Sequence, residues 1–227
     1  MRILILLAIA LPVILVSGCG TSSGRHSGPL AVGFDAAEPF ALFLRAFKHE
    51  GELEAWVKPD TANRYHLLKT YPICRKSGDL GPKRREGDLQ VPEGVYHVDR
   101  FNPNSSYHLS LGLNYPNASD RVRGDAVAPG SDIFIHGECV TVGCLPMTNP
   151  LIEEIYALAE AAKGHGQRIA VHIFPCRMDR PYAKDLLASE PAHVAFWQEL
   201  KPVYAYFEAN KTVPSVTIGP DGGYAVR

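Results

Sequence analysis

A histidine and a cysteine stand in one short segment, Ile135-His136-Gly137-Glu138-Cys139-Val140-Thr141-Val142-Gly143-Cys144-Leu145-Pro146-Met147. A thiol is a weak nucleophile until its proton is removed, and a nearby imidazole can hold it as thiolate or take the proton as base. The pair points to acyl transfer through a thioester, with Cys144 as nucleophile and His136 as general acid and base. Glycines beside both residues suit such a site. Gly137 follows the histidine, and Gly143 lets backbone approach a substrate closely and leaves the N–H groups around Cys144 free for a developing oxyanion. A zinc centre built from His136, Cys139, Cys144 and His172 is disfavoured, because the paired Cys-x-x-Cys or His-x3-His spacing of structural zinc sites is absent. No metal and no cofactor is expected.

Such a site needs a rigid support. Asp132 to His136 is a short apolar stretch that would carry His136 at the end of a strand, where a scaffold fixes the side chain and the loop stays open to substrate. Beyond Cys144, Asn149 and Pro150 predict the cap and first turn of a helix running to about Lys163. The rest of the chain reads mostly as strands. Leu53 to Lys58, Tyr65 to Ile73, Val95 to Phe101 with Tyr107 to Leu113, and Arg168 to Phe174 are strand-like, and Val91-Pro92-Glu93-Gly94 is a turn signal. Val216 to Ile218 followed by Asp221-Gly222-Gly223 suggests a terminal hairpin. Two helices are expected at the ends: Pro39 to His49, from the spacing of Phe40, Phe43, Leu44 and Phe47, and Ala192 to Asn210, interrupted at Pro202 by a kink or break. The fold class is therefore mainly β with flanking α-helices.

The 227 residues carry 23 Lys+Arg against 24 Asp+Glu, so no broad basic surface for nucleic acid is implied. The one basic cluster, Lys83-Arg84-Arg85, reads as a solvated loop face, with contact to acidic peptide carboxylates as the alternative. Arg2, the apolar run Ile3 to Leu15 and Val16-Ser17-Gly18-Cys19 fit a bacterial lipoprotein signal, with Cys19 acylated. The expected organisation is a signal at 1–18, a lipidated cysteine and flexible tether at 19–38, a catalytic domain at 39–178, and a C-terminal helix and strand extension at 179–227 on the same domain. The expected location is the periplasm, anchored by lipid to the outer membrane of a Gram-negative cell. Cys74, Cys139, Cys144 and Cys176 remain, and if Cys144 is the nucleophile at most one disulfide forms among the other three. Cys139 reads as a small buried loop residue rather than a switch that pairs with Cys144.

The His136 segment resembles the L,D-transpeptidase catalytic domain of the YkuD type, whose signature runs apolar strand, His-Gly, short loop, Ser/Thr-x-Gly-Cys. The matching residues are His136, Gly137, Thr141, Gly143 and Cys144. Upstream, Pro92-Glu93-Gly94-Val95-Tyr96 resembles the Pro-Glu-Gly-x-Tyr segment of the same family, and the short His-to-Cys loop containing a cysteine is most similar to its YafK-like branch. One departure is Pro146, two residues after Cys144, where the family commonly has Arg or Asn. The resemblance implies a YkuD-type β-sandwich with a C-terminal helical segment and a Cys144 thioester formed on peptidoglycan stem peptides. The product would be a cross-link or a lipoprotein attachment. The alternative is a hydrolase or amidase that trims stem peptides or detaches lipoprotein, and a more distant one is a non-catalytic wall-binding lipoprotein. Thr141 and His108 are the expected substrate contacts, and a backbone carbonyl rather than an acid is expected to orient His136. Partners are then peptidoglycan stem peptides, a peptidoglycan-attached lipoprotein, and the outer membrane through the lipid on Cys19.

Overall fold

Phe40-Ala41-Leu42-Phe43-Leu44-Arg45-Ala46-Phe47 is apolar at every position but one, and that overrides the helical spacing found in it. In the computed structural model it forms strand β1 (Phe40–Phe47), buried along its whole length. The strand lies between β2 (Glu52–Pro59), antiparallel, and β8 (Ala170–Phe174), parallel. A strand covered on both faces needs apolar side chains on both, and a continuous apolar run supplies them in either phase. Leu42, Leu44 and Ala46 enter one core, while Phe43 and Phe47 point to the opposite face. Gly51, expected to stop a helix, instead turns the β1–β2 hairpin with φ +69°.

The structure describes residues 34–227. The expected signal, Cys19 and the tether as far as residue 33 lie outside the described residues. Strands β3 (His66–Pro72), β4 (Gly94–Ser105), β5 (His108–Leu113) and β6 (Phe134–His136) fall where the sequence predicts them, and the two-residue β7 (Leu145–Pro146) follows Cys144. Val91 to Glu93 forms no turn and leads directly into β4. Helix α1 (Ala118–Arg123), unpredicted, is closed by reciprocal hydrogen bonds between Asn117 and Asp120, a capping pair present in the sequence.

The mainly β class is what the structure shows. Eight strands form one hydrogen-bonded sheet in the order β3-β2-β1-β8-β4-β5-β6-β7. Laid flat, its outer strands would be separated by seven steps of about 4.8 Å, or about 34 Å. Instead the Cys74 N–H, just past β3, donates to Pro146 O of β7 at 3.0 Å. The sheet is curled until its two edges meet, so its first core is enclosed with help from α2 (Asn149–Gly164), which contributes Ile152, Ile155 and Ala159.

On the other face lies α4 (Val194–Asn210), with Trp197, Leu200, Val203 and Tyr204 packed on Phe47 and Phe174. The helix runs through Pro202 without the expected break into two. Pro202 is exposed while the residues flanking its turn are buried, so packing outweighs the lost backbone hydrogen bond. A short α3 (Ala183–Ala188) precedes it, and β9 (Val216–Ile218) and β10 (Tyr224–Val226) make the predicted terminal hairpin. Among the described residues no helix is long and apolar enough to cross a membrane.

Candidate active site

Strand β6 sets His136 by two registers at once, opposite Ser110 of β5 and Pro146 of β7. The imidazole is buried and its Nδ1 lies 2.6 Å from Gly137 O. A carbonyl oxygen only accepts, so the neutral ring carries its proton on Nδ1 and its lone pair on Nε2. The Tyr107 ring packs over it at a centroid distance of 4.8 Å, a contact that nothing in the sequence signalled. Burial lowers the His136 pKa, opposed by the Gly137 hydrogen bond and Glu138. The group that orients the ring is thus a backbone carbonyl rather than an acid.

Cys144 enters from the far end of the loop. Its thiol contacts the strand that carries His136: Phe134 N–H donates to Sγ at 3.4 Å, and Sγ lies 3.6 Å from Asp132 O as the thiol donor. Burial pushes the thiol pKa up, with Phe134 N–H acting the other way and Asp132 adding to the rise. The resting site therefore pairs a neutral thiol with a neutral imidazole, and no hydrogen bond joins the two side chains among the described residues.

The loop between them is shaped by close approach. A Cβ on Gly137 would stand 2.7 Å from Asn149 Oδ1 and 2.8 Å from Tyr107 O, so only glycine fits. Gly143 has φ +94°, and a Cβ there would meet Gln90 O at 3.0 Å. Asn149 is not the helix cap. Thr148 holds the N-cap position, and Asn149 Oδ1 instead accepts from Glu138 N–H at 2.9 Å, tying α2 to the loop.

Several expectations about individual residues are corrected. The amides of Gly143 and Cys144 are not free: Gly143 N–H donates to Ser77 Oγ at 3.1 Å and Cys144 N–H to Thr141 Oγ1 at 2.9 Å. Thr141 also donates to Cys144 O at 2.8 Å, so while it lines the cavity its hydroxyl serves the nucleophile's backbone. His108 is outside the cavity lining, and its Nε2 donates to Glu153 of α2 at 2.7 Å. Cys139 is exposed rather than buried, and it is disulfide-bonded to Cys74, one of the pairings the three spare cysteines leave open. That bond closes a loop of 65 residues, for which the chain-entropy account gives about 4 kcal/mol. It staples the two sheet edges together where they meet. Cys176 is free, fully buried and pushed up to about 12, an inert thiol. His172 is also a core residue, packed on Phe43 at 4.7 Å. Lys83 is buried against Asp88 at 2.7 Å, so the basic cluster is only partly a solvated face. Among the described residues no group of three or more potential metal ligands is assembled.

The neutral pair predicts a pH profile. A thiolate–imidazolium pair would be fully reactive by pH 7, whereas here alkylation of Cys144 by iodoacetamide should keep rising as pH climbs past about 8.5, the ordinary thiol range. His136→Ala should slow alkylation at pH 7 further. A reactivity plateau below pH 7 in the wild type would contradict this arrangement.

Residues 56–173 match the L,D-transpeptidase catalytic domain, YkuD. Over 188 residues the chain is 39% identical to YafK of Escherichia coli (strain K12), whose L,D-transpeptidase name is itself provisional, covering 82% of this chain and 73% of that protein. Among solved structures, the helical cell shape determining protein Pgp2 (K307A mutant) from Campylobacter jejuni aligns with a TM-score of 0.49 at 22% identity, over 75% of this chain and 60% of that one. Bd1075 of Bdellovibrio bacteriovorus aligns with a TM-score of 0.43 at 20% identity, over 74% and 63% of the two chains.

Proposed function

The chain belongs to the YkuD family of L,D-transpeptidase catalytic domains, and from that premise we propose that it is a cell-envelope cysteine acyl-transfer enzyme acting on peptidoglycan stem peptides. The observation that carries the proposal is that Cys144 and a carbonyl-oriented His136 line one open cavity. In this mechanism the thiol turns from Asp132 O, its S–H proton passes from Sγ to His136 Nε2, and the thiolate attacks the carbonyl between the L-centre of a diamino acid and the following D-residue. The C–N bond then breaks, the imidazolium protonates the departing amine, and a thioester remains on Cys144.

The oxyanion needs a donor. Gly143 N–H is satisfied in the resting site by a neutral hydroxyl, and a hydrogen bond to an oxyanion is roughly twice as strong as a neutral one. The amide would therefore exchange Ser77 Oγ for the oxyanion as charge develops, a contact made more strongly in the transition state than in the ground state. Thr141 keeps the Cys144 backbone in place during that exchange.

An amine that resolves the thioester yields a cross-link or a lipoprotein attachment, while water yields trimming or detachment. Anchoring through lipid on Cys19 at the periplasmic face of the outer membrane is part of the same proposal. It is supported by Val16-Ser17-Gly18-Cys19 and by the Cys74–Cys139 disulfide, a bond that persists in oxidising compartments. Mass analysis of muropeptides after the purified protein acts on sacculi should show products that disappear in Cys144→Ala. New cross-linked or amine-capped species identify a transferase and released fragments alone a hydrolase; unchanged muropeptides would contradict the proposal.

A further inference from the structure

Cys144 lies at the seam where the two edges of the curled sheet meet, and two cavities open there. One is lined by Ile73, Ser77, Asp79 and Leu80 among others, the second by Tyr107, Phe134, His136 and Thr141 among others. Among the described residues only Cys144 and Arg75 line both. The other cations of the first cavity each have a hydrogen-bond partner. Lys48 Nζ is held by Glu93, Gly81 O and Val91 O, and Lys76 Nζ donates to His49 O. Elsewhere Arg45, Arg123 and Arg177 each hold a carboxylate. The exposed Arg75 guanidinium has neither an ion-pair nor a hydrogen-bond partner among the described residues. Its backbone is nonetheless fixed, because the preceding Cys74 is bonded through its N–H to Pro146 O and through its sulfur to Cys139.

The two cavities differ in charge. The first holds Asp79. In the second the acid is Asp132, and its Oδ1 is already paired with Arg100 at 2.8 Å. On the His136 side a substrate carboxylate meets one acid, already paired, and a free cation at the border. On the proposed reaction the amine side of the scissile bond must also lie there, since His136 returns the proton to that amine. We propose that Arg75 is the specificity-determining residue of this site, pairing with a free carboxylate on the residue at the amine side of the scissile bond. The inference rests on the Cys144 acyl-transfer reading and adds to it the residue that would hold the carboxylate of the departing terminal residue.

The test compares a synthetic stem tetrapeptide ending in a free acid with its C-terminal amide, in the wild type, Arg75→Ala and Arg75→Lys. A charge-assisted hydrogen bond of ordinary strength corresponds to about 10- to 100-fold in affinity. Arg75→Ala should therefore raise KM for the acid by about 10- to 100-fold with kcat nearly unchanged, and should erase the preference for acid over amide. Arg75→Lys should recover part of that preference. An unchanged unfolding midpoint and unchanged Cys144 alkylation rate show that the variant keeps its fold and site. A wild-type acid-to-amide ratio in Arg75→Ala, or an equal loss on both peptides, would overturn the assignment. Turnover of the acid by Cys144→Ala would instead remove the thioester reading, which the ratio measured at Arg75 does not depend on.

Discussion

Cys144→Ala is expected to abolish turnover on stem peptides while leaving the fold intact. The thioester must form on one sulfur, and loss of a nucleophile that acts together with its base lowers kcat by roughly 10^6-fold in comparable systems. The thiol itself makes only two long contacts, to Phe134 N–H and Asp132 O, so thermal unfolding should shift little. Cys144→Ser should be nearly as inactive, because burial lowers the basicity of His136 and a hydroxyl gives up its proton far less readily than a thiol. Cys176→Ser should keep turnover, since that thiol is buried in the fold and lines neither cavity beside Cys144. Full activity in Cys144→Ala would end the assignment.

The largest expected effect on stability belongs to Glu93, the acid of the Pro-Glu-Gly segment. Its carboxylate is fully buried. It accepts from Gly81 N–H at 2.8 Å and Trp197 Nε1–H at 2.6 Å, and lies 3.2 Å from Lys48 Nζ. Burial lowers the Lys48 pKa and Glu93 opposes the shift, so the ammonium depends on this partner. Glu93→Ala leaves a buried, uncompensated charge and two unpaired donors, for which about 3–5 kcal/mol is expected. A chain of this size then loses roughly 10 °C or more in thermal midpoint. The damage should reach the active site, because the segment that Glu93 and Lys48 hold also carries Leu89 O, the acceptor of Ser77 Oγ, and Gln90 O, which packs on Gly143. Replacing both partners by apolar residues, as in Lys48→Met with Glu93→Leu, should recover much of the loss. Urea unfolding of the two variants and the wild type measures this, and a change below about 1 kcal/mol in Glu93→Ala would show that the pair is not what holds the segment.

Local pattern made much of this fold legible. Alternation and turn chemistry placed β2 to β6, β8 and the terminal hairpin, and His136, Gly137, Thr141, Gly143 and Cys144 stood within one short segment. What the sequence hid depends on tertiary contact. A strand buried on both faces, β1, carries no alternation and imitates one face of a helix. The curl of the sheet brings Cys74 beside Cys139 across a separation of 65 residues, a pairing that three spare cysteines leave open. The same curl brings Ser77 and Arg75 to Cys144, although neither lies near the motif in sequence. Asn149 illustrates a subtler limit: its type suited a helix cap, and only the approach of the Glu138 amide shows that the side chain serves the loop instead.

The central claim, a thioester on Cys144, is tested most directly by trapping it. A stem tetrapeptide with a free terminal carboxylate, mixed with the protein and quenched in acid, should add the mass of the acyl fragment, without its last residue, to the peptide containing Cys144. The adduct should be absent in Cys144→Ala and should accumulate more slowly in His136→Ala. Turnover without an adduct on any cysteine, or an adduct on Cys176, would contradict the account.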